Sequence, residues 1–169
     1  MRGGDFRPTT LLSYNSPKRP IQRDHSSRTI GAIEDTLLRA TSDDAIHESV
    51  FRYQLQQHAA AQLLPTRYYL ALRGHNPGED LLCRVRVLVS QVQPLSQCRV
   101  SARDGVIDRK TGTRGLIVEV KSLRWLYGTV VEVVGGYYAT PWQAAAIRYR
   151  VEYDGGGWAV TRAHLLWRA

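Results

Sequence analysis

A chain of 169 residues, 43% apolar and 22% charged, is long enough for one packed domain and has the balance of a globular protein, not a fibrous or disordered one. No apolar run approaches the roughly 18 residues that span a bilayer, and the N-terminus lacks the apolar core of a secretory signal, so a cytoplasmic protein with no membrane partner is expected. The net charge of +8 is carried almost wholly by arginine, since Lys18, Lys110 and Lys121 are the three lysines, a bias that fits either contact with anions or a GC-rich coding sequence.

Residues 1–29 show no sustained period and include Pro8, Pro17 and Pro20. Too little apolar surface is present to offset the cost of ordering the backbone, which predicts a disordered basic arm at 1–29 and a single α+β domain at 30–169. As a binding element the arm would meet a polyanion, nucleic acid included, through Arg7, Lys18, Arg19, Arg23 and Arg28. Six basic residues over 30 positions are no dense cluster, however, and a solvated tail fits them better.

Ile33, Leu37 and Leu38 have helical spacing and predict a short helix over 30–40. Thr41-Ser42-Asp43-Asp44 then supplies a cap and first-turn carboxylates for a second helix, running over 43–64. In that helix Ile46, Val50, Tyr53, Ala60 and Leu64 lie along one line, with Phe51, Leu55 and Ala59 beside it, an apolar arc broad enough to pack into a sheet. His47 and His58 are not spaced as a metal pair and read as surface or boundary residues.

Thr66 to Leu72 has a short strand signature. Asn76-Pro77-Gly78-Glu79 reads as a capping box, which decides for a helix over the following LLCRVRVL even though Cys83, Val85, Val87 and Val89 alternate as a strand would. Gln97 to Ile107 adds a strand, and Asp108 to Gly115 reads as a polar loop. Cys83 and Cys98 have no metal-ligand spacing and are expected as reduced, partly buried thiols.

From Gly115 to Trp167 four apolar-alternating runs predict four antiparallel strands, with turns at Tyr127-Gly128, Thr140-Pro141 and Asp154 to Gly157. In the third run Ala145, Ile147, Tyr149, Val151 and Tyr153 share one face, and closure at Asp154-Gly155-Gly156-Gly157 pairs Tyr153 with Trp158 and Val151 with Val160. Leu116, Val118 and Val120 change parity with Leu123 and Trp125, which predicts a bulge near Lys121-Ser122. Gly135-Gly136 predicts a bend or a close backbone approach. The fold class expected is therefore α+β: a curved antiparallel sheet of four or more strands packed on one long helix.

No nucleophile elbow, metalloprotease helix, P-loop or dinucleotide fingerprint is present, so neither catalytic nor metal residues are assigned and no cofactor is expected. Asp104, Asp108, Glu119, Glu132 and Glu152 stand among arginines and read as solvated ion pairs. Tyr53, Tyr68, Tyr137, Tyr138, Trp142 and Trp158 offer apolar faces with polar tips and are the candidate ligand-binding residues. Lys121, Arg124, Arg148 and Arg150 could form a basic face for single-stranded nucleic acid, but Tyr149 and Tyr153 alternate with the arginines and turn away from them.

SVFRYQ (49–54), DGVIDRKTGTRGLI (104–117), VEVVGGYY (131–138), YRV (149–151) and GGWAVTRAHLLW (156–167) resemble a family of uncharacterised bacterial proteins, and the chain departs from that pattern at Trp142 to Ile147. The resemblance implies no activity and no functional residues. The order of helix, strands and terminal sheet is also similar to cystatin-like and NTF2-like cones, which host enzymes and non-catalytic binders alike. The function expected is a non-catalytic module that binds a protein partner or small ligand on its sheet, with oligomers possible. The alternatives are a small-molecule enzyme using a buried acid and an accessory polyanion-binding protein.

Overall fold

Alternation of apolar and polar residues dictates a sheet, and the computed structural model, which describes residues 25–60 and 67–169 (side chains at 42–59 and 67–169), contains one of six strands. In chain order come helix α1 (His25–Ala60), strand β1 (Tyr68–Leu72), helix α2 (Glu79–Leu88) and strand β2 (Val92–Pro94). A single 3-10 turn, Leu95–Gln97, leads into a hairpin of β3 (Cys98–Ser101) and β4 (Gly105–Asp108). Then follow β5 (Leu116–Tyr127), β6 (Val130–Thr140), β7 (Gln143–Tyr153) and β8 (Trp158–Arg168). The large sheet has the order β2-β1-β5-β6-β7-β8.

The four C-terminal strands are antiparallel as their alternation requires, and Tyr153 pairs with Trp158 and Val151 with Val160. The register of β5 on β6 shifts between Val120 and Ser122, so the extra residue turns Leu123 and Trp125 onto the face of Val118 and Val120. The sheet as a whole is mixed, not antiparallel: β1 lies parallel to both β5 and β2. A parallel neighbour needs a crossover, and between β1 and β2 that crossover is α2.

Three local expectations are corrected. Thr41 to Asp44 do not start a helix, because α1 runs through them, and Asp43 Oδ1 instead accepts a hydrogen bond from Trp125 Nε1 at 3.3 Å. Asn76 does not cap α2: Gly78 holds that position, while Asn76 binds Ser96 through Nδ2–H···Oγ (3.1 Å) and accepts from the Ser96 N–H (2.8 Å). The strand expected over Gln97 to Ile107 is divided by a turn into β3 and β4. Of the basic arm, residues 1–24 with Arg7, Lys18, Arg19 and Arg23 lie outside the described residues, as do 61–64 of the second helix, and Arg28 falls in α1.

The core sits on both faces of the sheet. On one, Ile46, Val50, Phe51 and Leu55 of α1 pack with Val118, Val120, Val131, Val133, Tyr149 and Val151. On the other, the β3–β4 hairpin covers Tyr69, Ala71 and Ile117 with Cys98 and Val106. Between them Gly135 and Gly136 bring backbones close. A Cβ on Gly135 would strike the Glu119 carbonyl and lie 3.5 Å from Gln54 Nε2, and one on Gly136 (φ +157°) would strike the Ala145 carbonyl. Gly136→Ala should therefore lower stability by roughly 2–3 kcal/mol, because the obstacle is backbone, which yields less than a side chain. Gly128→Ala, whose Cβ would meet nothing within 4 Å, should change it by less than about 0.5 kcal/mol; urea unfolding of the two variants checks both.

Candidate functional site

Small residues on β7 leave space where α1 crosses the C-terminal strands. Ala145 and Ile147 of β7 face the helix, and with Tyr137 of β6 and Leu165 of β8 they floor a cavity of about 240 Å³. Its other wall is α1, which presents Tyr53, Gln54, Gln57 and His58, residues one helical turn apart in two i,i+4 pairs. Aromatic edges line it: Tyr53 meets Tyr149 edge-on at 5.8 Å and His58 meets Tyr137 edge-on at 4.5 Å between ring centroids. Arg168 stands exposed where the cavity reaches solvent.

The polar atoms of this cavity are unusual. Gln54 is 3% exposed and Tyr149 is fully buried, yet Gln54 Oε1 and the Tyr149 hydroxyl have no hydrogen-bond partner among the described residues. Buried polar groups are ordinarily satisfied, and leaving one unpaired costs about 1–3 kcal/mol. Among the described residues Gln54 Nε2 has only a long bond, 3.5 Å, to the Glu119 carbonyl. Burial, with smaller contributions from Tyr53 and Tyr137, pushes the Tyr149 hydroxyl well above the usual phenol range, and burial pushes His58 down, so at neutral pH both are uncharged.

Of the six aromatic candidates, Tyr53 and Tyr137 meet in this cavity and the other four do not. Tyr68 is a core residue whose hydroxyl is buried without a partner among the described residues and whose pKa burial raises. Tyr138 turns to the opposite face and packs against the hairpin cluster. Trp142, 87% exposed, occupies the β6–β7 turn. Trp158 stacks edge-on against Trp125 at 5.4 Å and lies 5.5 Å from Tyr153, at the end of β8 away from Arg168. Gln54 and Arg168 were not singled out by the sequence, and His58 and Tyr149 were read there as a surface or boundary residue and a sheet-face residue, not as site residues. The legible signal was the row Ile46, Val50, Gln54, His58, which sets two polar residues at i,i+4 steps on an otherwise apolar line.

Asp108 is not a solvated partner of arginine. It is 3% exposed and accepts from the Tyr69 hydroxyl (2.7 Å), the Thr111 N–H (2.8 Å), the Lys110 N–H (2.9 Å) and the Thr111 hydroxyl (3.0 Å), with Arg67 Nε 3.6 Å away. The Tyr69 hydroxyl above all, then the Thr111 N–H, holds this carboxyl far below the usual range, while burial and the Asp108 charge push Tyr69 far above its own. A charged group so fully bound pins the 108–113 turn to the sheet. Asp104 accepts from the Ser101 hydroxyl at 3.4 Å and has no arginine or lysine partner among the described residues, while the other three acids do pair on the open face, Glu132 with Arg124 (2.9 Å) and Arg148 (3.6 Å), Glu119 with Lys121 (3.7 Å), and Glu152 with Arg150. Arg150 also donates to the Tyr127 hydroxyl at 2.6 Å, so the basic face is largely neutralised.

His47 belongs to the core, contrary to a boundary placement: it is 4% exposed, in the row His47, Phe51, Leu55, and neither ring nitrogen has a partner among the described residues. Cys98 is buried and Cys83 exposed; burial pushes the Cys98 thiol up to about 11, which leaves it protonated and unreactive at neutral pH. Among the described residues no cluster of three metal-binding side chains occurs, and no helix is long and apolar enough to cross a membrane.

Two pH effects follow. Because the folded-state pKa of Asp108 is depressed, its stabilisation is complete above the unfolded value of about 3.9 and is lost as pH falls through the acid range below it. Asp108→Asn should cost about 2–3 kcal/mol at pH 7 and flatten the fall in stability between about pH 4 and pH 2, measured by urea unfolding across that range. His47 is also depressed, first by burial and then by Arg73 against the opposing pull of Asp43 and Asp44, so its contribution is present above about pH 6.5 and lost below it. His47→Leu should raise stability by about 1 kcal/mol at pH 7 and reduce the loss on going to pH 5, seen in thermal melts at the two pH values; the remaining loss reports His58, which shifts the same way.

Compared with protein-family models, with curated proteins and with solved structures, the chain matches none, so neither a fold family nor site residues come to it from a relative.

Proposed function

We propose that this protein is a non-catalytic binding module that takes a small, largely apolar ligand in the cavity between α1 and the sheet, a cystatin-like or NTF2-like cone with a curved sheet closed around one long helix, working in the cytoplasm. The observation that carries this reading is the pair of buried, unpartnered polar atoms, Gln54 Oε1 and the Tyr149 hydroxyl, set in an aromatic and apolar wall. A few placed polar groups in a mostly apolar concavity are what fixes a small molecule in one orientation. An acceptor and a hydroxyl left unpaired by the protein are supplied with partners by a ligand that carries a donor.

The enzyme alternative needs a carboxylate in the cavity with a raised pKa. Among the described residues no carboxylate lines it, and the one buried acid among them, Asp108, has a lowered pKa, lies on the other face of the sheet and has its oxygens occupied. A protein partner remains the second reading, favoured by the exposed apolar end of the edge strand β8, Leu165, Leu166 and Trp167.

The test is titration of the full chain with two neutral probes, indole and 2-naphthol, followed by ligand-observed NMR and calorimetry. Saturable binding is expected. Ala145→Trp, which fills the cavity, should weaken it at least tenfold, and Tyr149→Phe about three- to tenfold through loss of one hydrogen bond. Ile147→Trp serves if Ala145→Trp does not fold. Absence of binding by either probe, or binding unaffected by filling the cavity, overturns the reading.

A further inference from the structure

We propose that the ligand of this cavity is a planar aromatic monocarboxylic acid carrying an N–H or O–H donor, its carboxylate held by Arg168 at the mouth and its donor by Gln54 Oε1 inside. The proposal rests on the cavity being a ligand site and adds the chemical class.

The charge comes from one residue. Among the described side chains lining the cavity Arg168 is the single permanent cation, and none of them is an anion. The arginines of the sheet's other strands are differently placed: Arg124, Arg148 and Arg150 each have a glutamate within 3.6 Å or less, and Arg67, just before β1, has Asp108. Arg168 has no carboxylate partner among the described residues. Its position is set by register, because it pairs with Ala145, whose side chain floors the cavity, and a shift in the β8 register between Leu165 and Trp167 is what brings Arg168 to that face. Without the extra residue at Leu166, alternation from Leu165 would direct Trp167 inward and Arg168 to the outer face.

Size and polarity narrow the class. A cavity of about 240 Å³ has room for a one- or two-ring body and not for a nucleotide or a lipid tail. Edges of Tyr53, Tyr137 and His58 and the side chains of Ile147 and Leu165 suit a flat ring. His58 is uncharged at neutral pH, so a single guanidinium meets a single negative charge, and a carboxylate matches its planar fork while a phosphate dianion would bring a charge with no partner. Gln54 Oε1 can only accept, which calls for a donor on the buried end of the ligand.

Indole-3-acetate and its neutral isostere indole-3-acetamide separate the claims in calorimetry on the full chain. The acid should bind at least tenfold more tightly than the amide at pH 7. Arg168→Gln should erase that difference while leaving the amide's affinity within about twofold, and Arg168→Lys should restore part of it. Added salt should weaken the acid and not the amide. Equal binding of acid and amide, or a preference that survives Arg168→Gln, overturns the carboxylate assignment while the cavity stands as a binding site. If neither compound binds, and indole and 2-naphthol also fail, the cavity reading falls with it.

Discussion

The structure depends on how closely β6 lies against its neighbours β5 and β7, and two missing side chains decide that. Gly135 falls on the helix face, in phase with Val131, Val133 and Tyr137, and the space its side chain would fill is taken by the Glu119 carbonyl, with the end of Gln54 in ordinary contact at 3.5 Å. Any residue with a Cβ there would push β5 away. Gly136, one residue on, has a φ of +157° and lets the Ala145 carbonyl come within contact of its α-carbon side. The glycine pair thus lets β6 lie tightly between β5 and β7, and on the helix face Val131 and Val133 pack against α1. Beyond them, where β7 offers alanine in place of a larger residue, the space under the helix is left as a cavity.

The two faces of the sheet use polarity in opposite ways. On the hairpin side the buried carboxylate of Asp108 is surrounded by donors from Tyr69, Lys110 and Thr111, and its charge is stabilised by every neighbour that touches it. Such a group holds a turn in place and has little left to offer a substrate. On the helix side, His47, Gln54, Tyr68 and Tyr149 each bury polar atoms with no partner among the described residues. His47 and Tyr68 lie in the packed core, where the effect is a cost in stability and a sensitivity to acid. Gln54 and Tyr149 line open volume, where the same deficit is a capacity to bind.

How far this could be read from the sequence varies with the range of the interaction. The turn end of the β7–β8 hairpin was legible, since alternation from Ala145 to Tyr153 and the Asp154-Gly157 turn both act locally and agree on the pairing of Tyr153 with Trp158 and Val151 with Val160, but the two register shifts beyond it were not. The bulge at Lys121-Ser122 was legible too, because a change of parity leaves no other explanation. Parallel addition of β1 and β2 was not, because both are short and nothing in Tyr68–Leu72 or Val92–Pro94 names its neighbour. Thr41 to Asp44 misled because capping residues signal a start only when the preceding residues are not helical. Asp108 misled because one carboxylate among arginines looks the same whether its lone pairs meet water or the Tyr69 hydroxyl. Of the candidate site, Tyr53 and Tyr137 were found as aromatics, but Gln54 and Arg168 acquire meaning only once α1 and β8 are brought to the same cavity.

Arg168 shows why that last step needs three dimensions. Strict alternation along β8 sets His164 with the outer residues and Leu165 with the inner ones, and would leave Arg168 outside among other charges. The register shift beside Leu166 inverts this, directing Trp167 outward opposite Ala146 and Arg168 inward opposite Ala145. On an edge strand the inversion also disturbs the flat row of unpaired backbone groups that would otherwise invite another strand. One extra residue therefore does two things: it blunts the edge, and it moves a guanidinium from a face where Glu132 and Glu152 already balance the arginines to a cavity where no carboxylate of the described residues does.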